Sequence, residues 1–414
     1  MARRRLPPQP KLPEFIVADP ADLPPMLDHL ARCPVLGLDT EFVGEDSYRP
    51  DLCLVQVATP ERLVLLDPLA CGSLDEFWNL LLDPRRAVIV HAGREEVRMC
   101  RFAVGKPPAK VFDLQIASGL LGFNYPIGYA ALVHDVLGVR MTKGETLTDW
   151  RRRPLSPNQI RYAFDDVRYL LPLYAWCLTR LRKHGRTAWA DEEFATFIKR
   201  ATGDEPGVER WRRVKGLGGL NRKELAVARE LYEWREQFAA RVNRPTRFIL
   251  RDDLIIEIAR RGISGPDNLS ELRGLPRGEL ETIAAAVRRG LALAPGKYPE
   301  AVERDNDPPH VTMLSNLLNV VLNEFCNRES IAANLVATSS DLKSLVRSRQ
   351  NGASPAVDSS LTSGWRATAV LPYLSAVLDG RAVLQVTNPA NESPISVLAL
   401  PEPPTVLVDR ASVS

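Results

Sequence analysis

Two carboxylates two residues apart are the first chemical signal, Asp39 and Glu41 in the run Val35-Leu36-Gly37-Leu38-Asp39-Thr40-Glu41-Phe42. Residues i and i+2 of a strand project from the same face. An apolar strand that ends in such a pair therefore sets two like charges side by side. Burying them is costly unless cations neutralise them or the strand end is solvated. The second signal is Tyr162-Ala163-Phe164-Asp165-Asp166. Tyr162 and Asp166 are i and i+4, so a phenol and a carboxylate lie over one patch of a helix. Asp165 points about 100° away and reads as solvated. The third is His91-Ala92-Gly93-Arg94-Glu95-Glu96-Val97, which opens a helix directly after an apolar strand. Acidic residues in a first helical turn complement the helix dipole. Taken singly, each signal also fits an ordinary strand end, helix surface or helix start.

An α/β rhythm positions these groups. Val35–Phe42, Leu52–Ala58 and Leu63–Leu66 read as three strands in quick succession, an antiparallel meander. A short helix covers 74–82. Ala87–Val90 is a fourth strand followed by a helix over 94–103, and Val111–Asp113 a fifth followed by a helix over 114–121. Strands that alternate with helices predict parallel pairing, so the sum is a mixed sheet with helices on its faces. Asp113 reads as the cap of the helix after it. Ile160, Ala163, Phe164, Val167, Leu170, Leu171 and Tyr174 recur at helical spacing across 157–183. Residues 203–207 and 305–309 read as linkers on either side of a helical stretch over 220–293. The final hundred residues begin with helices, cross a Ser/Gly-rich segment and end on a strand at 382–386. Within them, 351–363 and 403–414 have the composition of disordered chain.

Composition excludes several classes. At 414 residues, 45% hydrophobic and 25% charged, the chain is an ordinary multidomain globular protein. No run reaches the ~18 apolar residues of a membrane span. The basic start, Met1 to Pro8, leads into prolines where a secretory signal would continue into an apolar core, so the expected location is the cytoplasm. Six cysteines form no CxxC pair and read as reduced, buried thiols, and five scattered histidines show no zinc spacing. The net charge of +3 names no partner. Ten lysines among 54 basic residues leave an arginine-rich chain, a bias that suits phosphate recognition and that genome base composition also produces. With no heptads or long amphipathic seams, a monomer is the default expectation.

The order of the three motifs resembles the DEDD superfamily of 3′→5′ exonucleases, in its tyrosine-containing branch, and specifically the ribonuclease D family. Leu38-Asp39-Thr40-Glu41-Phe42 is similar to that family's first motif, His91 to Glu96 to its second, and Tyr162 to Asp166, continuing to Pro172, to its third. Lys143-Gly144-Glu145-Thr146-Leu147-Thr148-Asp149-Trp150 is similar to a stretch peculiar to ribonuclease D. The likeness covers about residues 15–300. It implies an α/β, RNase H-like exonuclease domain over 14–203, after a flexible leader over 1–13. It also implies two divalent cations, Mg²⁺ or Mn²⁺, because such ions stabilise both the attacking and the leaving oxygen of a phosphodiester. By the same likeness Asp39 bridges the ions, Glu41 and Asp166 hold the first, Glu96 holds the second, and Tyr162 positions the attacking water. The family usually has Asp where this chain has Glu96. The added methylene keeps the charge but shifts the carboxylate, which opens the alternative of a catalytically weakened RNA-binding protein or an altered Mg²⁺/Mn²⁺ preference. Glu95 is the lesser candidate for that role.

Residues 207–300 hold 19 Lys/Arg against 13 Asp/Glu, a net +6 that leaves the rest of the chain net negative. Leu220 to Glu224, Tyr232 to Glu236, Asn243-Arg244-Pro245 and Leu272 to Pro276 resemble the HRDC domain, a helical module whose implied role is auxiliary nucleic-acid binding. Trp234 reads as core. Residues 310–414 resemble, weakly, the C-terminal segments of ribonuclease D-like proteins, and imply a smaller auxiliary α+β or helical domain. The implied activity is 3′→5′ exoribonuclease trimming of structured RNA such as tRNA precursors, with Phe42, Lys143, Arg222 and Lys223 as candidate nucleic-acid contacts. A DNA exonuclease of the Werner type is the alternative within the same chemistry.

Overall fold

The computed structural model describes residues 11–141, 148–203, 209–301, 307–350, 360–391 and 394–400. The first unit runs β1 (Glu14–Val17), α1 (Leu23–Arg32), β2 (Val35–Val43), β3 (Asp51–Ala58), β4 (Leu63–Leu66), α2 (Pro68–Cys71), α3 (Asp75–Leu80), β5 (Ala87–Val90), α4 (Arg94–Val104), β6 (Val111–Asp113), α5 (Leu114–Gly119), α6 (Tyr129–Leu137), α7 (Pro157–Arg168), α8 (Leu170–Lys183) and α9 (Thr187–Thr202). The six strands lie in the order β1-β4-β3-β2-β5-β6. Only β3 runs against its neighbours; the β1–β4, β2–β5 and β5–β6 pairs are parallel. This is the mixed sheet that the sequence predicts. Every residue of β4 and β5 is buried, as continuous apolar strands covered on both faces must be.

Three features depart from the sequence reading. β1 and α1 precede the first predicted strand; Phe15 and Ile16 stay exposed at the sheet edge, so β1 carries little periodic signal. The helical run 157–183 divides at Tyr169, whose backbone N–H leaves the helix ladder and donates to the Tyr129 hydroxyl (3.2 Å). Ser360–Thr362 form a short 3-10 turn and Ser363 precedes a helix, where disorder was expected. The rest of that expected disorder, 351–359 and 403–414, lies outside the described residues, as do residues 1–10 of the expected leader.

Residues 209–300 fold as helices α10 (Arg222–Val242), α11 (Thr246–Ile249), α12 (Asp252–Arg261), α13 (Pro266–Ser270) and α14 (Leu280–Leu291) around their own core of Leu225, Leu231, Ile255, Ile283 and Val287. The start of α10 is a capping box. Asn221 Oδ1 accepts the N–H groups of Lys223 and Glu224 (both 3.0 Å), and Glu224 accepts that of Asn221 (2.8 Å). Gly290 lets α14 approach α10, since a Cβ there would stand 2.6 Å from the Val227 Cα. Trp234 is buried, as expected, and stacks on Phe238 at 5.3 Å. This unit docks beside β2: Tyr48 donates to Glu236 (3.1 Å), the Arg49 N–H to Asn243 (2.9 Å), and Arg247 to the Glu45 carbonyl (2.7 Å).

The C-terminal segment adds α15 (Pro309–Glu329), α16 (Ala333–Val336), α17 (Ser339–Gln350), α18 (Gly364–Ala369), α19 (Leu371–Leu378) and the hairpin β7 (Ala382–Val386) with β8 (Ile395–Ala399). Leu318, Phe325, Leu345 and Trp365 share one hydrophobic core with Leu120, Trp176 and Phe194 of the first unit. A buried polar lock fixes the contact. Glu193, 6% exposed, accepts the Trp365 indole N–H (2.7 Å) and pairs with the Arg366 guanidinium, which also donates to the carbonyls of Leu335 (2.6 Å) and Val336 (2.7 Å). Trp189 and Trp365 stack at 4.5 Å. Removing one partner of such a pair strands a buried charge. Arg366→Met is therefore expected to lower stability in urea unfolding by about 3–5 kcal/mol and to expose 307–400 to proteolysis. A loss below about 1 kcal/mol, the range of exposed ion pairs, would show that the lock does not hold the segment.

Candidate active site

Strand pairing decides where the acidic residues sit. β2 pairs with β3 from Gly37 to Val43 but with β5 only over Val35–Gly37. Asp39 and Glu41 therefore lie beyond the end of β5, where the chain turns through His91–Gly93 into α4. Ligand crevices of α/β sheets form at this carboxyl end of the parallel strands. The turn is tightly specified. Ala92 adopts a left-handed φ of 54°, and a Cβ at Gly93 would stand 2.4 Å from the Val90 Cβ. Asp113, at the end of β6 and 1% exposed, fastens two helix starts at once. Its Oδ2 accepts the Gly93 N–H (3.0 Å), and its Oδ1 accepts those of Gln115 (2.8 Å) and Ile116 (3.3 Å). The expected cap of α5 thus also anchors the entry to α4.

That entry delivers Glu96, 6% exposed, to β2, where its Oε1 accepts the Thr40 hydroxyl at 2.7 Å. Glu95 turns to Arg98 instead (2.9 and 3.0 Å), which leaves Glu96 as the residue of this pair beside Asp39. The third contribution comes from α7. Its start is fixed by Pro157 and by a capping box between Ser156 and Gln159. Ala163, Phe164 and Val167 are buried, and this seats Tyr162 and Asp166 on the flank of the cleft. The Tyr162 hydroxyl is hydrogen-bonded to the Asp166 carboxylate, whose Oδ2 is buried without a hydrogen-bond partner. Asp165, expected to be solvated, is mostly buried; it pairs with Arg168 (2.8 Å), which reaches across to Glu14 of β1 (2.7 Å). Trp150, from the stretch resembling ribonuclease D, is buried with its ring 6.1 Å from that of Tyr162.

Five predicted residues, Asp39, Glu41, Glu96, Tyr162 and Asp166, are thus brought together. Of the other four, the three that are described do not join them. Phe42 is half-buried, one position past the register shift that follows Glu41. Arg222 is engaged with the carbonyls of Tyr298 and Pro299 and with Glu300, away from the cleft. Lys223 is exposed at the start of α10. Lys143 lies outside the described residues. The sequence reading missed Thr40, Tyr129 and Trp150 as neighbours of the site; the Trp150 position in the quoted stretch was the available signal.

Electrostatics mark the cluster as a place of concentrated negative charge. Burial, then Glu96, Asp166 and Glu41, push the Asp39 carboxyl well above the usual range. Burial, then Asp166 and Glu96, raise Glu41 to about 8. Burial raises Glu96 and Asp166 to about 7 each, against opposing hydrogen bonds from Thr40 and Tyr162. Burial beside the same carboxylates raises the Tyr162 phenol, so it remains a hydrogen-bond donor at neutral pH. The donor set is all oxygen, negative and partly unpartnered, and so fits hard divalent cations. Among the described residues no three potential ligands already converge on one point, so cation binding requires these carboxylates to draw together.

The sign of the pH effect follows. Carboxyls whose folded pKa is raised hold more protons in the folded state, so metal-free stability falls as pH rises from the ordinary carboxylate range through about 7–8. Asp39→Asn removes one of the repelling charges. In EDTA at pH 8 it is expected to melt higher than the parent by on the order of 5 °C, with the difference shrinking towards pH 5. A variant that melts lower at pH 8 would contradict the repulsion.

Comparison with known proteins agrees with this arrangement. Residues 15–181 match the 3′–5′ exonuclease family and residues 224–287 the HRDC domain. Ribonuclease D of Gluconacetobacter diazotrophicus is 35% identical over 377 residues, 90% of this chain and 94% of that protein. Ribonuclease D of Nitrobacter hamburgensis is also 35% identical, over 85% of this chain and 91% of its own length. Among solved structures, Escherichia coli RNase D, an exoribonuclease involved in structured RNA processing, superposes with a TM-score of 0.75 at 25% identity and covers 88% of this chain and 98% of its own. The chain belongs to the ribonuclease D family of 3′→5′ exoribonucleases.

Proposed function

We propose that this chain removes nucleotides one at a time from the 3′ end of structured RNA, tRNA precursors being the leading class, with Asp39, Glu41, Glu96, Tyr162 and Asp166 as its catalytic residues. The observation that carries the reading is the meeting of four carboxylates and a tyrosine where β2 outruns β5. Two divalent ions, Mg²⁺ or Mn²⁺, would supply charge stabilisation to the attacking and leaving oxygens when bound, held by Asp39, Glu41, Glu96 and Asp166. The chain's own groups do the positioning. Thr40 fixes the Glu96 carboxylate against β2. Tyr162, a neutral phenol beside Asp166 on one face of α7, orients a water or phosphate oxygen by turning its single O–H from that carboxylate to it. In this reading Glu96 stands in the place of the family's usual Asp, and its bond to Thr40 supports that role by fixing the carboxylate there. RNA is preferred to DNA on the strength of the ribonuclease D relatives. Among the described residues no helix is long and apolar enough to cross a membrane, and all six cysteines are free, which supports a reducing, cytoplasmic setting. We take the working form to be a monomer.

The test is a 5′-labelled tRNA-like RNA with a 3′ extension, incubated with Mg²⁺, Mn²⁺ or EDTA. A ladder of single-nucleotide shortening is expected in metal only. Asp166→Asn should reduce the rate by about 10²-fold or more, and Glu96→Gln similarly, by analogy with the cost of misplacing reacting groups by an ångström. RNA that stays bound but unshortened in both metals would instead assign the chain to binding without hydrolysis.

A further inference from the structure

A second polar cavity, distinct from the carboxylate site, lies between α4 and α9 on one side and the helical unit 209–300 on the other. Its volume is about 270 Å³, and among the described residues Arg94, Arg98, Arg200, Arg210, Arg213 and Arg235 line it against two carboxylates, Glu236 and Asp252. Both carboxylates are already engaged. Asp252 accepts from Arg235 (2.7 Å) and from the Lys215 N–H (3.0 Å), and Glu236 accepts from Tyr48 (3.1 Å). Arg98 pairs with Glu95 outside this carboxylate pair, Arg210 donates to the Thr202 carbonyl (2.9 Å), and Arg235 Nη1 donates to the Leu250 carbonyl (3.0 Å) as well as to Asp252. The Arg94 and Arg213 guanidinium groups make no ion pair or hydrogen bond among the described residues. Arg235 is 6% exposed, and its Nε is buried with no hydrogen-bond partner; the nearest carboxylate oxygen, from Glu236, is 3.9 Å away. A buried guanidinium N–H left without an acceptor is costly unless something supplies one. Arg94 and Arg98, i and i+4 on α4, face the cavity while Glu96, about 200° around the helix from Arg94, faces the carboxylate site. One helix therefore presents an acidic face to one cleft and a basic face to another.

We propose that this cavity is a phosphate-binding site, which takes a phosphate group of an RNA strand or of a free nucleotide. Arginine forks match phosphate oxygens in geometry and charge, and a volume near the lower end of small-ligand sites, roughly 300–1,000 Å³, suits a phosphate with an attached nucleoside. Because the site joins both units, a phosphate in it contacts each and ties the helical unit to the exonuclease unit. The RNA source rests on the function proposed above; the binding itself does not.

The test uses the full chain in EDTA, where hydrolysis plays no part, and compares the parent with Arg94→Gln/Arg213→Gln. Calorimetry with 5′-AMP and with pyrophosphate reads free-nucleotide binding. Filter binding of a tailed RNA across a salt series reads the backbone source. If RNA phosphate is the ligand, the double variant binds RNA about tenfold or more weaker and its log K versus log salt slope falls by about 1–2, as expected for lost phosphate contacts. If the ligand is a free nucleotide, AMP or pyrophosphate binds the parent saturably and the double variant loses about tenfold or more, with the RNA slope unchanged. Equal RNA binding, equal salt slope and no binding of either small anion would overturn the proposal. Both substituted residues are exposed, so an unchanged melting temperature checks that the variant is folded.

Discussion

Four carboxylates brought from β2, α4 and α7 to the buried end of β2, near enough to repel one another, are the constraint around which this protein is built. Desolvation and mutual repulsion oppose the arrangement, and each raises the pKa of the groups concerned. The scaffold must therefore be rigid where it carries them. β2 sits in the interior of the sheet, between β3 and β5, so Asp39 and Glu41 cannot retreat without breaking pairing. Asp113 pins the turn into α4, and a capping box pins the start of α7. These contacts lie one step away from the charged cluster and determine whether it forms.

Much of this was legible in the sequence because the signals were periodic or paired. The i, i+2 spacing of Asp39 and Glu41 and the i, i+4 spacing of Tyr162 and Asp166 translate directly into shared faces. The apolar runs at 52–58, 63–66 and 87–90 have the continuous pattern of strands buried on both faces. What escaped was long-range. Nothing local to Thr40 says that it reaches Glu96 across 56 positions, or that Asp113 serves the turn at Gly93 as well as its own helix. β1 was missed because it is short, at a sheet edge and half apolar on its exposed side. Asp165 looked solvated because its partner chain, Arg168 to Glu14, closes only in three dimensions. Arg222, read as a nucleic-acid contact from the charge of its region, is engaged with the end of its own helical unit; net charge does not say which arginines are free.

The other two segments attach by different physics. The C-terminal helices merge with the exonuclease core and seal the contact with a buried Glu193–Arg366 pair, the character of a permanent interface. The helical unit 209–300 keeps its own core and touches the first unit through a few polar contacts around 45–49 and an arginine-lined cavity. Interfaces of that polar kind permit relative motion between the two units.

The central claim is that the cluster at the end of β2 is a cation site, and direct binding tests it most simply. Mn²⁺ titrated calorimetrically into the metal-free protein at pH 7.5 should bind saturably and raise the melting temperature in proportion to occupancy, and Asp166→Asn should weaken both effects by about tenfold or more. Mn²⁺ that binds the parent and Asp166→Asn equally, or neither, would contradict the account.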